Sequence, residues 1–265
     1  MDGRDVKMLA LIVLAAGLAG AFWFFRNDVT PRVEAPVIAR PELDEPAPAQ
    51  DQPRHPIAAL NPSASAERVL VPLPPLDDSD AYFLLALVDI FGPDVRSALV
   101  KEALIDKFVT TVDNLPRSHV SEKIRPVGRL SDAFAVDALG NSGEFLMTAD
   151  NYKRYDPLVS LIARSDLELI VATYRRFYPL LQESYVRLGY PNGYFNDRVV
   201  EVIDQLLTTP EPNEPIRLVR PHVLYEFADA NLEALSSGQK LLLRMGSDHT
   251  ATIKQVLSDL RALIA

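Results

Sequence analysis

The chain has 265 residues, 48% of them hydrophobic, which is enough for a sizeable core. A formal charge of -9 speaks against nucleic acid, whose phosphates attract basic surfaces. The absence of cysteine excludes disulfides, thiol catalysis and cysteine-ligated zinc.

Met8 to Phe25 (MLALIVLAAGLAGAFWFF) is an apolar run without charge or proline. At about 1.5 Å per residue, a helix of this length approaches the roughly 30 Å of a bilayer's hydrocarbon core. Residues 8–25 are therefore expected to form a single transmembrane helix after a cytoplasmic N-terminus, 1–7. Ala19-Gly20-Ala21 has the small-residue form of a signal cleavage site, but the apolar run continues past it through Phe25, which suits an uncleaved anchor. A short N-terminus ahead of a first span stays in the cytoplasm, so a single-pass chain with its bulk outside the cytoplasm is expected.

Residues 26–78 hold eleven of the 21 prolines and none of the nine tyrosines. Proline fixes φ and removes amide donors, so this stretch reads as a disordered, extended linker. Residues 79–265 are expected to be a mainly α, multi-helix globular domain with a small β-hairpin.

Asp78-Ser79-Asp80 offers N-caps for a helix that Gly92-Pro93 ends, and Leu104, Phe108, Val112 and Leu115 mark another running to Pro116. Phe134, Val136 and Ala138 alternate, as do Phe145 and Met147, with Gly140 to Gly143 as the turn of the hairpin. A helical region over Ala149 to Arg164 is expected to break at Pro157. Ser165 to Leu207 then reads as an antiparallel helix pair at the centre of the domain. Ser165 and Glu168 have capping-box spacing, Leu169, Ile170, Thr173, Phe177, Leu180, Leu181 and Leu188 form the apolar face, and Pro179 predicts a kink near Arg175. Gly189 and Pro191 stop the first helix, and Val199 to Leu207 carries the second. Ile216 to Val219 reads as a short strand, and a last helix follows a Ser247 cap.

Chemistry is sparsely signalled. The four histidines form no HExxH pattern, and neither a metal site nor a cofactor is expected. Ser237 and Lys240 have the Ser-x-x-Lys spacing of a lysine-activated nucleophile, but the companion elements are missing, so a helix start followed by an exposed lysine is the leading reading. Glu183-Ser184 resembles the Glu-Ser pair of lytic transglycosylases without their downstream segment. Together these leave a peptidoglycan-acting hydrolase as the alternative function. The density of tyrosine, arginine and amide groups is more informative. Tyr152, Arg154, Tyr155 and Asp156, with Tyr194, Asn196, Asp197 and Arg198, have the composition of a binding surface. The same residues suit an internal network in which Asn196 or Asp197 caps a helix and the arginines pair with carboxylates.

Thr111 to Arg117, Asn151 to Pro157, Tyr194 to Arg198, Tyr225 to Asp229 and Gly238 to Gly246 form five ordered motifs. In this order they resemble the bacterial domain-of-unknown-function family numbered 3014, and the likeness covers roughly Ser79 to Ile264. The resemblance implies a bacterial envelope protein with an N-terminal anchor, so the expected location is the bacterial inner membrane, single-pass, with the C-terminal domain in the periplasm, and it carries over no reaction. The expected function is binding or scaffolding, with the membrane and an envelope protein or cell-wall component as partners.

Overall fold

The computed structural model describes residues 52–57, 72–127, 134–164, 166–212 and 215–265. The expected span at 8–25, the N-terminus 1–7, residues 26–51 and 58–71 of the proline-rich stretch and Ser165 lie outside them. Among the described residues there are ten α-helices and a four-stranded antiparallel sheet, and none of these helices is long and apolar enough to cross a membrane. The helices are α1 (Asp80–Phe91), α2 (Val95–Ala98), α3 (Leu104–Asn114), α4 (Ala149–Lys153), α5 (Asp156–Ala163), α6 (Leu167–Arg187), α7 (Phe195–Leu207), α8 (Ala230–Glu233), α9 (Ser237–Met245) and α10 (Ser247–Ile264).

The main core is helical. On α3, Leu104, Ile105, Phe108, Val109 and Val112 recur at three- and four-residue steps, and all are buried. That stripe lies against both α6 and α7, while α10 packs on α7, α5 and α6. The expected pair, α6 and α7, is thus joined by its turn more than by side-to-side packing, with α3 and α10 supplying most of the contact. The buried face of α6 is Ile170, Val171, Tyr174, Phe177, Leu180, Leu181 and Tyr185. Leu169 and Leu188, expected on it, are exposed. Leu169 lies about 100° round the helix from Ile170, and Leu188 follows the last turn. The helix continues through Pro179, which removes only the bond to the Arg175 carbonyl.

Helix ends are capped in ways that local sequence does not anticipate. Asp166 begins α6 by accepting the amides of Glu168 and Leu169, one residue after the expected Ser165. Ser79 holds the N-cap position of α1, but a 3-10 turn at Leu76–Asp78 directs its hydroxyl back to the Leu76 carbonyl. Asp80, expected to cap α1, instead accepts the amides of Ala103 and Leu104, both at 2.7 Å, and so caps α3 from the side. Ser247 is the first residue of α10 rather than its cap, a position taken by Gly246.

The expected hairpin forms from β1 (Val136–Ala138) and β2 (Glu144–Met147), with Gly140 and Gly143 at positive φ in its turn. It is one half of a larger sheet. The expected strand appears as β3 (Arg217–Val219), paired with β2, and β4 (Glu226–Phe227) extends the order to β1-β2-β3-β4. Met147, Ile216, Leu218, Phe227 and Leu243 make a second, smaller core beneath the sheet.

Candidate functional site

The start of α7 is built from α6. Gln182 on α6 accepts the Phe195 amide at 2.8 Å and donates to the Gly193 carbonyl at 2.8 Å, while Tyr178 donates its hydroxyl to the same Gln182 Oε1. An orphan amide of the new helix is thereby satisfied by a neighbouring helix, and the turn at Gly193 is fixed with it. Neither Asn196 nor Asp197 caps α7, because both lie inside its first turn rather than ahead of it.

That frees the two side chains for other partners. Asn196, fully buried, accepts from the Tyr174 hydroxyl at 3.0 Å and donates to the Ile264 carbonyl at 2.8 Å and the His55 carbonyl at 2.9 Å. Asp197 accepts the amide of Arg54 at 3.0 Å and that of His55 at 2.8 Å, one on each carboxylate oxygen. Its side chain is only 5% exposed, and the Arg54 guanidinium lies 3.8 Å away. Residues 52–57, inside the stretch that composition assigns to a linker, are therefore held on the domain by main-chain hydrogen bonds. Ile57 packs against the main core.

Arg198 turns the other way. Its Nε donates to Asp113 Oδ1 at 3.0 Å, its Nη2 to the Asp113 carbonyl at 2.8 Å, and Nη1 pairs with Glu201. Burial alone would pull this guanidinium down, but Asp113 and Glu201 outweigh it and hold it above the ordinary arginine value. Asp113, almost fully buried, also accepts from Arg117 and from the Tyr190 hydroxyl. Tyr190 stacks on Tyr185 with ring centroids 4.6 Å apart. Tyr194 is half-buried at the N-cap position.

The other motif serves a different part of the molecule. Asn151, fully buried, donates to the Arg244 carbonyl at 3.1 Å and accepts from Arg154 at 2.9 Å, tying α4 to α9. Arg154 thus meets an amide here. Tyr155 is buried at the break between α4 and α5, and burial pushes its phenol up to about 12. That break falls just ahead of Pro157, which sits in the first turn of α5, where its missing amide costs nothing. The Tyr152 ring lies over Gly246, where a Cβ would approach it to 3.0 Å and φ is +88°, so only glycine fits both demands. Asp156 is exposed and lies 2.9 Å from His249 Nε2.

The residues considered for hydrolysis have other partners. The Ser237 hydroxyl donates to the Arg117 carbonyl at 2.8 Å. Lys240 is buried, where an exposed lysine was expected, because Glu233 supplies a carboxylate at 2.7 Å and a carbonyl at 3.1 Å. Ser236 is the N-cap of α9, in a capping box with Gln239. Glu183 is ion-paired to Arg187 on an open helix face. Among the described residues, no three histidine, aspartate or glutamate side chains converge as a metal ion would need.

The structure therefore splits the eight candidate residues into two groups, each bonded into its own surroundings. Asp113 and Gln182, which hold the second group in place, were not singled out as site residues. Asp113 lies within a family-like motif, whereas nothing in the sequence marks Gln182. A family model described as a protein of unknown function, DUF3014, matches residues 104–261, from α3 into the last turns of α10, so both groups fall inside it and residues 52–57 outside. No curated protein and no solved structure matches the chain.

Proposed function

The chain belongs to the DUF3014 family, and we propose that it is a binding or scaffolding protein of the bacterial envelope, anchored in the inner membrane by residues 8–25, with its helical domain in the periplasm. Support for the anchor is the apolar run itself, long enough to cross a bilayer and flanked by Arg4 and Lys7 before it and Arg26 after it. The binding reading rests on a single observation. The domain presents a buried amide and a buried carboxylate, side by side, whose free valences are taken up by the main chain of a distant, proline-flanked segment. Groups placed to hold a peptide backbone suit recognition. Ser237 and Lys240 are committed to internal bonds, and Glu183 sits on an open helix face paired with Arg187, which favours binding over that chemistry.

Two measurements test this reading. A C-terminal reporter active only outside the cytoplasm should be active, and the full chain should sediment with inner membranes and leave them only in detergent. In-cell crosslinking from the domain surface should then join it to an envelope protein or to cell-wall material. A chain that fractionates as freely soluble, or a cytoplasmic reporter, would remove the proposal.

A further inference from the structure

The contact between residues 52–57 and the domain has the form of a ligand in a site. Exposure alternates along Gln52-Pro53-Arg54-His55-Pro56-Ile57: Gln52, Arg54 and Pro56 face solvent while Pro53, His55 and Ile57 are half-buried. Alternate side chains thus meet the surface, as when a bound peptide is read. The chain bends at Arg54–His55, so two successive amides converge on the two oxygens of Asp197, and the following carbonyl meets the Asn196 amide. Prolines at 53 and 56 bracket these donors, and each fixes φ on its side, which lowers the entropy lost when the segment is held. The receiving amide also has partners outside the segment, since the Tyr174 hydroxyl and the Ile264 carbonyl both bond Asn196.

Resting on the proposed binding role, we infer that Asn196 and Asp197 form a docking site for a proline-flanked peptide backbone, filled in one chain by its own residues 52–57 and able to take the same segment from a second copy. A second copy is the further occupant proposed, because the sequence that fits the site is carried by every molecule that has the site. Recognition runs through main-chain groups and three inward side chains, so an exchanged segment repeats every bond without a new interface. Copies confined to one membrane would meet at raised effective concentration, and exchange would link them through their linkers.

The cysteine-free chain allows clean labelling. A fluorescent peptide, Gln52 to Ile57 with blocked ends, is titrated by anisotropy into the purified full chain in detergent. Replacing Arg54 and His55 by proline within the full chain removes both donors and empties the site without touching the domain. That chain should bind the peptide at least tenfold more tightly than wild type, where the resident segment competes. Adding Asp197→Asn should weaken binding at least tenfold. A control peptide with proline at both central positions should not bind, and this arm needs no change to the domain. Finally, the emptied chain mixed with full-length Asp197→Asn, which keeps its segment but lacks the site, should form a one-to-one pair by analytical ultracentrifugation that neither forms alone.

Failure of the peptide to bind the emptied chain, or equal binding of the two peptides, overturns the site. Peptide binding with no mixed pair overturns the second copy as occupant. Lost peptide binding in a chain that still fractionates with the membrane counts against the site alone. Intact peptide binding in a freely soluble chain counts against the anchored role alone.

Discussion

Asn151 to Asp156 and Tyr194 to Arg198 are near-twins in composition, each combining tyrosine, asparagine, aspartate and arginine, yet the fold uses them differently. The first is bonded inward. Its asparagine fastens α4 to the Arg244 carbonyl and to Arg154, and its second tyrosine is sealed at a helix break. The second is divided along the helix turn. Arg198 is bonded into the domain through Asp113, whereas the adjacent Asp197 and Asn196 reach the main chain of residues 54 and 55. Polar and aromatic density in a sequence therefore marks places where many bonds are made, and only the position of each residue on its helix decides whether the partner lies inside the domain or is brought to it.

If the first motif is internal, damaging it should cost the most. Tyr155→Ala removes a fully buried aromatic ring and should lower stability by about 3–5 kcal/mol, read as a lower urea midpoint at unchanged slope. A surface tyrosine would give less than a quarter of that, and such a result would erase the contrast. Next comes Asp113→Asn, which leaves Arg198 short of its buried counter-charge and takes an acceptor from Tyr190 and Arg117. Glu201 still pairs with Arg198, so a loss of about 3 kcal/mol is expected, at the low end for a broken buried pair. Chemical denaturation of this variant tests whether the arginine half of the second motif is as structural as the first.

The buried phenols sharpen the comparison further. Burial raises the phenol of Tyr155 in the first motif, and it raises Tyr174, which orients Asn196 in the second. In each case the folded state keeps a proton that the unfolded chain releases near pH 10. The stabilisation is therefore fully present below pH 10 and is lost as pH rises from there through about 12, the value for Tyr155. Between pH 8 and pH 11.5, wild type should lose more stability than Tyr155→Phe by about 2 kcal/mol, measured as the difference in their urea midpoints at the two pH values. Equal losses would mean that Tyr155 ionises freely and is not sealed.

The elements with strong periodicity were legible in the sequence. α3, α7 and α10 carry their stripes openly, and the β1–β2 hairpin declares itself through alternation and glycines. What escaped depends on contacts between residues far apart. Asp80 caps a helix 24 residues on, and Gln182 caps α7 across the intervening turn. β4 is two residues long, too short for any period to show. Lys240 reads as a surface residue until Glu233 is placed beside it by the short helix α8. The docking of residues 52–57 was hidden for a similar reason. Composition describes what a segment does without partners, and Asp197 supplies them from more than 140 positions away.

The smallest effect on the domain should be the most telling about the second motif. Asp197→Asn keeps the shape of the side chain but offers one oxygen where the carboxylate offers two, and it turns a donor toward the second incoming amide. The bonds lost belong to residues 54 and 55, and none of the hydrogen bonds holding α7 in place involves this carboxylate. The domain apart from the segment should keep its stability, so the urea midpoint falls by no more than the lost hold on residues 52–57, the worth of one charge-assisted hydrogen bond, roughly 1.5–3 kcal/mol. Cleavage after Arg54 by trypsin reads that hold directly, since the protease needs the segment released. Under conditions where segment opening is fast compared with cleavage, the rate should rise roughly tenfold or more in the variant. A variant that melts like wild type and is cut no faster would show that the carboxylate does not hold the segment, and the two motifs would then both be read as internal bonding.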